Sequence, residues 1–529
     1  MKKIGANLLI SIVVCMFLCT LTSCKKDVSY ENPSSSIITP KVINDGDIVL
    51  GPQMRDPYNV SNMQAAFDSL VIKGVQFPFG QVPPTGKYVR IFAGSEYERA
   101  LITQDSTILW LDFPLNYELG EGGISFHDPS LPDSSTFLYG VVPVSYTPPS
   151  GLTYELIYEV FIPDDYQLYE KYKKSLDLLE DKSTELCGYD DEYAEPTKSG
   201  TWSPSATITA YEDLALCNIP LEGVKVVAKR WSKSRWAYTD ANGSCTIGEF
   251  KSGQKVNYII KWEGSHWDIR DGNWGQAYYN GPKLNGAWSY AIGATDKSNA
   301  IAAIHRAVYY SCYGDIMNIQ RPFLVLGKTK ISYIHGTNES MAGATSSVGN
   351  FAGIIPNIRI WGYTGNSMYT TNDLISTTFH EMAHVSHRRF IGNNAFWNTS
   401  DFIIESWARA VQVALSNKYY NEKLSSYPGC ISYQNPRVEQ DWLQADSGNS
   451  SPYTPVFIDL MDDFNQSILS SNYINDEIQG YTLQEIQNYI LQGSYGLSSL
   501  SVKLKANKMH GATDEQIDNL LSKYQGVSF

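Results

Sequence analysis

The stretch Phe379-His380-Glu381-Met382-Ala383-His384 constrains this chain more tightly than any other part of it. Two imidazoles at i and i+4 come together when the backbone is helical, because their side chains then stand one turn apart on one face. From there both reach a single tetrahedral zinc ion. Glu381, between them, sits beside the remaining coordination position, where it can take a proton from water. A third ligand candidate, Glu405, lies 21 residues after His384 in Ile403-Ile404-Glu405-Ser406-Trp407-Ala408-Arg409-Ala410, which also reads as a helix. The expected set is therefore Zn²⁺ held by His380, His384 and Glu405, with Glu381 as the base. The competing reading makes the two histidines surface residues of an amphipathic helix. That helix has a packing stripe at Ile375, Phe379 and Met382, and the histidines lie off it. For Glu405 the competing reading is an ordinary exposed carboxylate. His387 shares the stripe of His380, but no glycine lets the helix break to bring it to the metal, so a packing or orienting role is expected.

The spacing distinguishes zinc-peptidase types. A metzincin needs Gly at position 387 and His at position 390, and this chain has His387 and Phe390. A second helix presenting a Glu about twenty residues downstream resembles the gluzincin, or thermolysin-like, clan. That resemblance implies a zinc site completed by Glu405 and a water. Such enzymes often carry an Asp one turn after the ligand Glu to orient a ligand His, and here that place holds Arg409. The resemblance also implies a Tyr or His that stabilises the oxyanion; Tyr453 and His510 are the candidates. Upstream, Asn357–Trp361 alternates as a half-exposed strand ending at Gly362, and the zinc helix is expected to begin near Thr371–Asn372. In gluzincins an edge strand before the zinc helix holds extended peptide. Asp296–Tyr313 reads as a helix with Ile301, Ile304, Val308 and Cys312 facing inward and Gly314 as its stop, followed by a strand at Lys330–Ile334.

The N-terminus points outside the cytoplasm. Lys2-Lys3 precede an apolar run, Leu8–Leu18, that closes on Leu21-Thr22-Ser23-Cys24. This is similar to a bacterial lipobox, which implies a leader over 1–23, lipidation of Cys24 and a Ser-, Asn- and Pro-rich tether over 24–40. The competing reading is an uncleaved membrane anchor. Several acyl chains on one Cys anchor stably where one would not. The expected location is the bacterial cell envelope, lipid-anchored, at the outer membrane, with either face open. No other stretch is long and apolar enough to span a bilayer.

With 529 residues, 43% hydrophobic and 13% aromatic, the chain can bury more than one core. Its net charge of −14 becomes two units more negative once Lys2 and Lys3 leave with the leader, which argues against a nucleic-acid partner. After Cys24 there remain Cys187, Cys217, Cys245, Cys312 and Cys430, an odd number without CxxC metal spacing. Cys217 and Cys245 stand alone as ligands, though they could pair with each other in an oxidising compartment.

The expected fold class is multidomain α+β. A β-rich N-terminal domain over 41–200 has strands at Tyr88–Phe92, Thr107–Leu111 and Tyr154–Phe161 and a helix at Tyr166–Leu179. A small β-sandwich follows over 201–264. There Gly223-Val224-Lys225-Val226 and Thr239-Asp240-Ala241-Asn242-Gly243 resemble the carboxypeptidase regulatory-like domain, which implies fold rather than activity. A zincin-like catalytic domain over 265–529 has a helical C-terminal part with capping boxes at Thr482-x-x-Glu485 and Thr513-x-x-Gln516. The expected sandwich has its own core and supplies no ligand. The activity implied is hydrolysis of extracytoplasmic protein or peptide substrates. The competing class is a non-enzymatic surface lipoprotein that binds glycan or protein, which explains neither the histidine motif nor Glu405.

Overall fold

The computed structural model describes residues 46–132, 135–189, 200–324, 327–337, 343–345, 358–423, 454–465, 467, 476–522 and 524. Cys24, the 24–40 tether, Tyr453 and Cys430 lie outside them. The described chain is mixed α and β, with several separate sheets. None of its helices is long and apolar enough to cross a membrane.

The N-terminal unit combines β1 (Leu50–Gln53), α1 (Val60–Ile72), β2 (Gly86–Ala93), α2 (Glu96–Ile102), β3 (Tyr117–Leu119), β4 (Thr136–Pro143), β5 (Tyr154–Val160) and α3 (Tyr169–Leu186). Its main sheet is antiparallel in the order β4-β2-β5. Thr107–Leu111 is not a strand: Leu111 alone makes a bridge, to Tyr139, while Ile108 and Leu109 are buried without pairing. Apolar side chains there fill core space that needs no ladder.

Next come β6 (Thr201–Trp202), β7 (Ser205–Glu212), β8 (Cys217–Pro220), β9 (Lys225–Arg230), β10 (Lys233–Tyr238), β11 (Ser244–Thr246), β12 (Phe250–Lys251) and β13 (Val256–Lys261). The chain then leaves for another sheet through β14 (Trp267–Asp271) and β15 (Gly275–Gln276). It returns as β16 (Tyr278–Leu284) and β17 (Trp288–Ile292). One sandwich sheet runs β10-β9-β13-β16; the other runs β11-β7-β17, with β8 also on β7. Position 264 is thus no boundary: two sandwich strands follow it, and β17 pairs parallel with β7. The Asp240–Gly243 turn is present, with Asp240 accepting from Asn242 and Ser244 and Gly243 at φ +71°. The strands flanking it, β10 and β11, lie in different sheets, so the turn makes a corner rather than a hairpin.

Nor is the sandwich separately cored. Strand β9 is buried at every residue. Val226, Ala228, Tyr258 and Ile260 join a core that continues into the C-terminal helices, while Val227, Ile259 and Tyr278 join the core of the N-terminal unit. Successive side chains on a strand point to opposite faces, so a sheet covered on both sides loses the polar alternation of a half-exposed one. Cys245 is free and buried, and Cys217 carries a disulfide, so these two do not pair.

Helix α4 (Lys297–Tyr313) packs beneath a mixed sheet of order β15-β14-β18-β20-β19, in which β18 (Thr329–Thr337), β19 (Gly343–Thr345) and β20 (Ile358–Thr364) are new members. Strands β14, β18 and β20 are parallel; β19 is antiparallel to β20. Strand β20 therefore continues through Gly362 and is not the edge: β19 covers it. After β21 (Ser367–Met368) come α5 (Thr371–Ile391), α6 (Asn393–Trp397), α7 (Asp401–Lys423), α8 (Val456–Asp459), α9 (Leu497–Ala506) and α10 (Asp514–Ser522).

Candidate metal centre

Helix α5 starts at a capping box in which Thr370 and Asp373 satisfy each other's backbone N–H groups. The sandwich also holds this end. Thr371 N–H donates to Asp213 Oδ2 at 2.7 Å and the Thr371 hydroxyl donates to Glu212 Oε1 at 2.7 Å. Two carboxylates at the positive end of the helix dipole suit the first turn. Strand register explains why Glu212 is inside. Along β7, Ala206, Ile208, Ala210 and Glu212 share the buried face. Arg306 of α4 donates to Glu212 Oε2 at 2.6 Å, which compensates the buried charge.

Two turns into α5, His380 and His384 face α7. Their Nε2 atoms are 3.1 Å apart, and Glu405 Oε2 is 3.1 Å from His380 Nε2 and 3.4 Å from His384 Nε2. All three residues are buried, as is Glu381 between the histidines. Among the described residues this is the group of metal-ligating side chains that could hold an ion. The nearly equilateral triangle is the informative quantity. Ligand bonds of about 2.0–2.1 Å in a tetrahedron put ligand atoms about 3.3 Å apart, and the three edges bracket that value. The donors, two imidazoles and one carboxylate, fit a borderline metal better than a hard one.

Without a metal, the same atoms share a proton. Burial pushes His384 down, but Glu405, Glu381 and Asp401 outweigh it and its pKa is raised. Burial likewise pushes Glu405 up, while the two histidines pull it further down, below the usual carboxylate range. A divalent cation would replace that shared proton.

Comparison with family models, with curated proteins and with solved structures finds no match for this chain. The site must therefore be read from its own residues.

His380 Nδ1 lies 3.2 Å from Gln412 Oε1. An amide oxygen only accepts, so His380 donates from Nδ1 and keeps Nε2 free for a ligand role. Gln412 is thus the orienting partner sought at position 409. Arg409 is buried one turn earlier. Gln412 stands at i+7 from Glu405, a spacing that returns to the same helix face as i+4 does. Asp401, one turn before Glu405, was also missed. Its charge acts on His384 and Glu405, and burial followed by Glu405 raises its own pKa.

His387 is no ligand. It is buried between Phe396 and Trp407, at centroid distances of 5.3 and 6.5 Å, and burial pushes its pKa down to about 3. His510 is held by Glu485 at 3.1 Å and by the Tyr481 ring.

Proposed function

We propose that the chain is a zinc-dependent metallopeptidase of gluzincin type. The observation that carries this reading is the triangle of His380 Nε2, His384 Nε2 and Glu405 Oε2 with edges of 3.1, 3.1 and 3.4 Å. Zinc, when bound, supplies Lewis-acid activation of water and polarisation of a substrate carbonyl. Gln412 fixes the His380 ring, Glu405 and Glu381 supply the negative charge that favours a cation, and burial keeps these interactions strong. Glu381 takes the proton of the attacking water and delivers it to the leaving amine. Strand β19, at one edge of the mixed sheet among the described strands, would offer backbone groups to an extended peptide. Lipidation at Cys24 would hold the protein to the bacterial outer membrane, with extracytoplasmic proteins or peptides as substrates.

Metal analysis of the purified protein, with peptidase assays on Glu381→Gln, tests the reading. The expectation is one zinc per chain in both proteins and hydrolysis by the wild type alone. Absence of stoichiometric zinc would favour the binding lipoprotein. Undiminished cleavage by Glu381→Gln would overturn the proton-transfer role.

A further inference from the structure

Where the sandwich meets helices α4 and α7 there is a cavity of about 130 Å³, and none of its lining residues belongs to the histidine–glutamate group. Helix α4 contributes Tyr309, Tyr310 and Tyr313, α7 contributes Tyr419, and the turn after β8 contributes Glu222. The walls are held in place by the protein itself. The Tyr309 hydroxyl donates to Glu222 Oε1 at 3.2 Å, and its ring lies over Gly223, where a Cβ would come within 2.2 Å of it. Tyr310 donates to Glu422 Oε2 at 2.7 Å and meets the Tyr419 ring edge-on at a centroid distance of 5.2 Å. Arg306, one turn earlier on α4, is the most deeply buried charged residue of the lining, at 5% exposure. Its Nη1 donates to Glu212 Oε2 at 2.6 Å, but its Nε and Nη2 have no hydrogen-bond partner among the described residues. Those two nitrogens form one edge of the guanidinium, a fork that grips two neighbouring acceptor oxygens. Buried donors left unmade cost free energy, so an orphaned fork on a residue that lines a cavity points to a ligand.

We propose that this cavity binds one pyranose ring of a neutral sugar. Two adjacent hydroxyl oxygens of the ring accept from Nε and Nη2 of Arg306, another hydroxyl donates to Glu222, and the apolar C–H face of the sugar lies on the tyrosine rings. Charge decides against an anion. Arg306 is paired with Glu212, and Lys423 at the cavity is paired with Glu222 at 3.1 Å, so a carboxylate or phosphate would add a third negative charge to two balanced pairs. Shape and chemistry decide against an apolar side chain, which would fill the space and leave the fork unmade. The volume admits a single ring, either a free monosaccharide or the terminal unit of a glycan. This reading does not depend on the metal.

The test titrates glucose, galactose and mannose separately into the full chain by calorimetry, with glucuronate as the anionic control. At least one hexose should bind with Kd on the order of a millimolar, as a ligand of about twelve non-hydrogen atoms allows. Tyr313 is 46% exposed, so Tyr313→Ala spares the core and should weaken binding on the order of tenfold. Arg306→Lys keeps a cation opposite Glu212 but removes the fork, and should abolish detectable binding in protein that still unfolds cooperatively. Methyl glycosides of the bound hexose separate the two sources: retained binding assigns the site to a glycan terminus, and loss assigns it to the free monosaccharide. If wild type binds none of the three hexoses, or if Tyr313→Ala and Arg306→Lys both bind as wild type does, the proposal falls. Tighter binding of glucuronate than of glucose would overturn the neutral-ligand assignment.

Discussion

Gln412 accepts a hydrogen bond from His380 Nδ1 at 3.2 Å, seven residues beyond Glu405 on the same helix. One helix thus supplies both a ligand to the proposed metal and the group that orients another ligand. Loss of the acceptor frees the imidazole to rotate and to change tautomer. Gln412→Ala should weaken zinc binding by about 10–100-fold with the fold intact, whereas Gln412→Glu should bind nearly as wild type. Competition against a chromophoric chelator reads both. Equal affinity in Gln412→Ala and wild type would remove Gln412 from this role.

The Glu212–Arg306 pair makes the sandwich a structural partner of the zinc-type helices. Both side chains are buried, and Glu212 also accepts from Thr371 at the start of α5. Glu212→Gln leaves the Arg306 guanidinium without its counter-charge, and should cost about 3–5 kcal/mol. Urea unfolding measures it. By the same logic a chain beginning at Ser265 should neither fold nor hold metal.

His305 should make stability pH-dependent. Its ring lies between Trp262 and Trp267, its Nε2–H donates to the Glu222 carbonyl at 2.9 Å, and its Nδ1 is buried without a partner. Burial pushes its pKa down to about 4 from an ordinary value of 6.5. The neutral ring is the folded form, so its contribution is complete above pH 6.5 and is lost as pH falls towards 4. Between pH 6.5 and 5 the loss should be about 2 kcal/mol. His305→Gln should be flatter over that window in urea midpoints, and parallel curves would refute the assignment.

Gly223 sits at φ +77°, and a Cβ there would come within 2.2 Å of the Tyr309 ring. Gly223→Ala therefore combines backbone strain with displacement of an α4 side chain. A loss of about 1–3 kcal/mol in thermal or urea unfolding is expected.

The local chemistry was legible in the sequence because helical periodicity fixes it. His380 and His384 share a face by spacing alone, and α4 runs from its Asp296 cap to Gly314 as its apolar stripe requires. The meeting with Glu405 depends on how α5 packs against α7, which the sequence suggests only through loop length. Gln412 was not legible, since many side chains can accept from an imidazole. Strand β17 pairs with β7 from far along the chain, and such non-local pairing leaves no local signature. In β9, burial on both faces removed the alternation that marks a half-exposed strand.

The interleaved path of the sandwich has a consequence for biogenesis. Strand β7 gains its parallel neighbour only when the chain has been made as far as Ile292, after an excursion through β14 and β15. Vectorial, piece-by-piece maturation is thus closed to the middle of this protein. An emerging chain must keep its half-built layers from aggregating until the later strands arrive, so the middle of this protein is the part most in need of protection while it is being made.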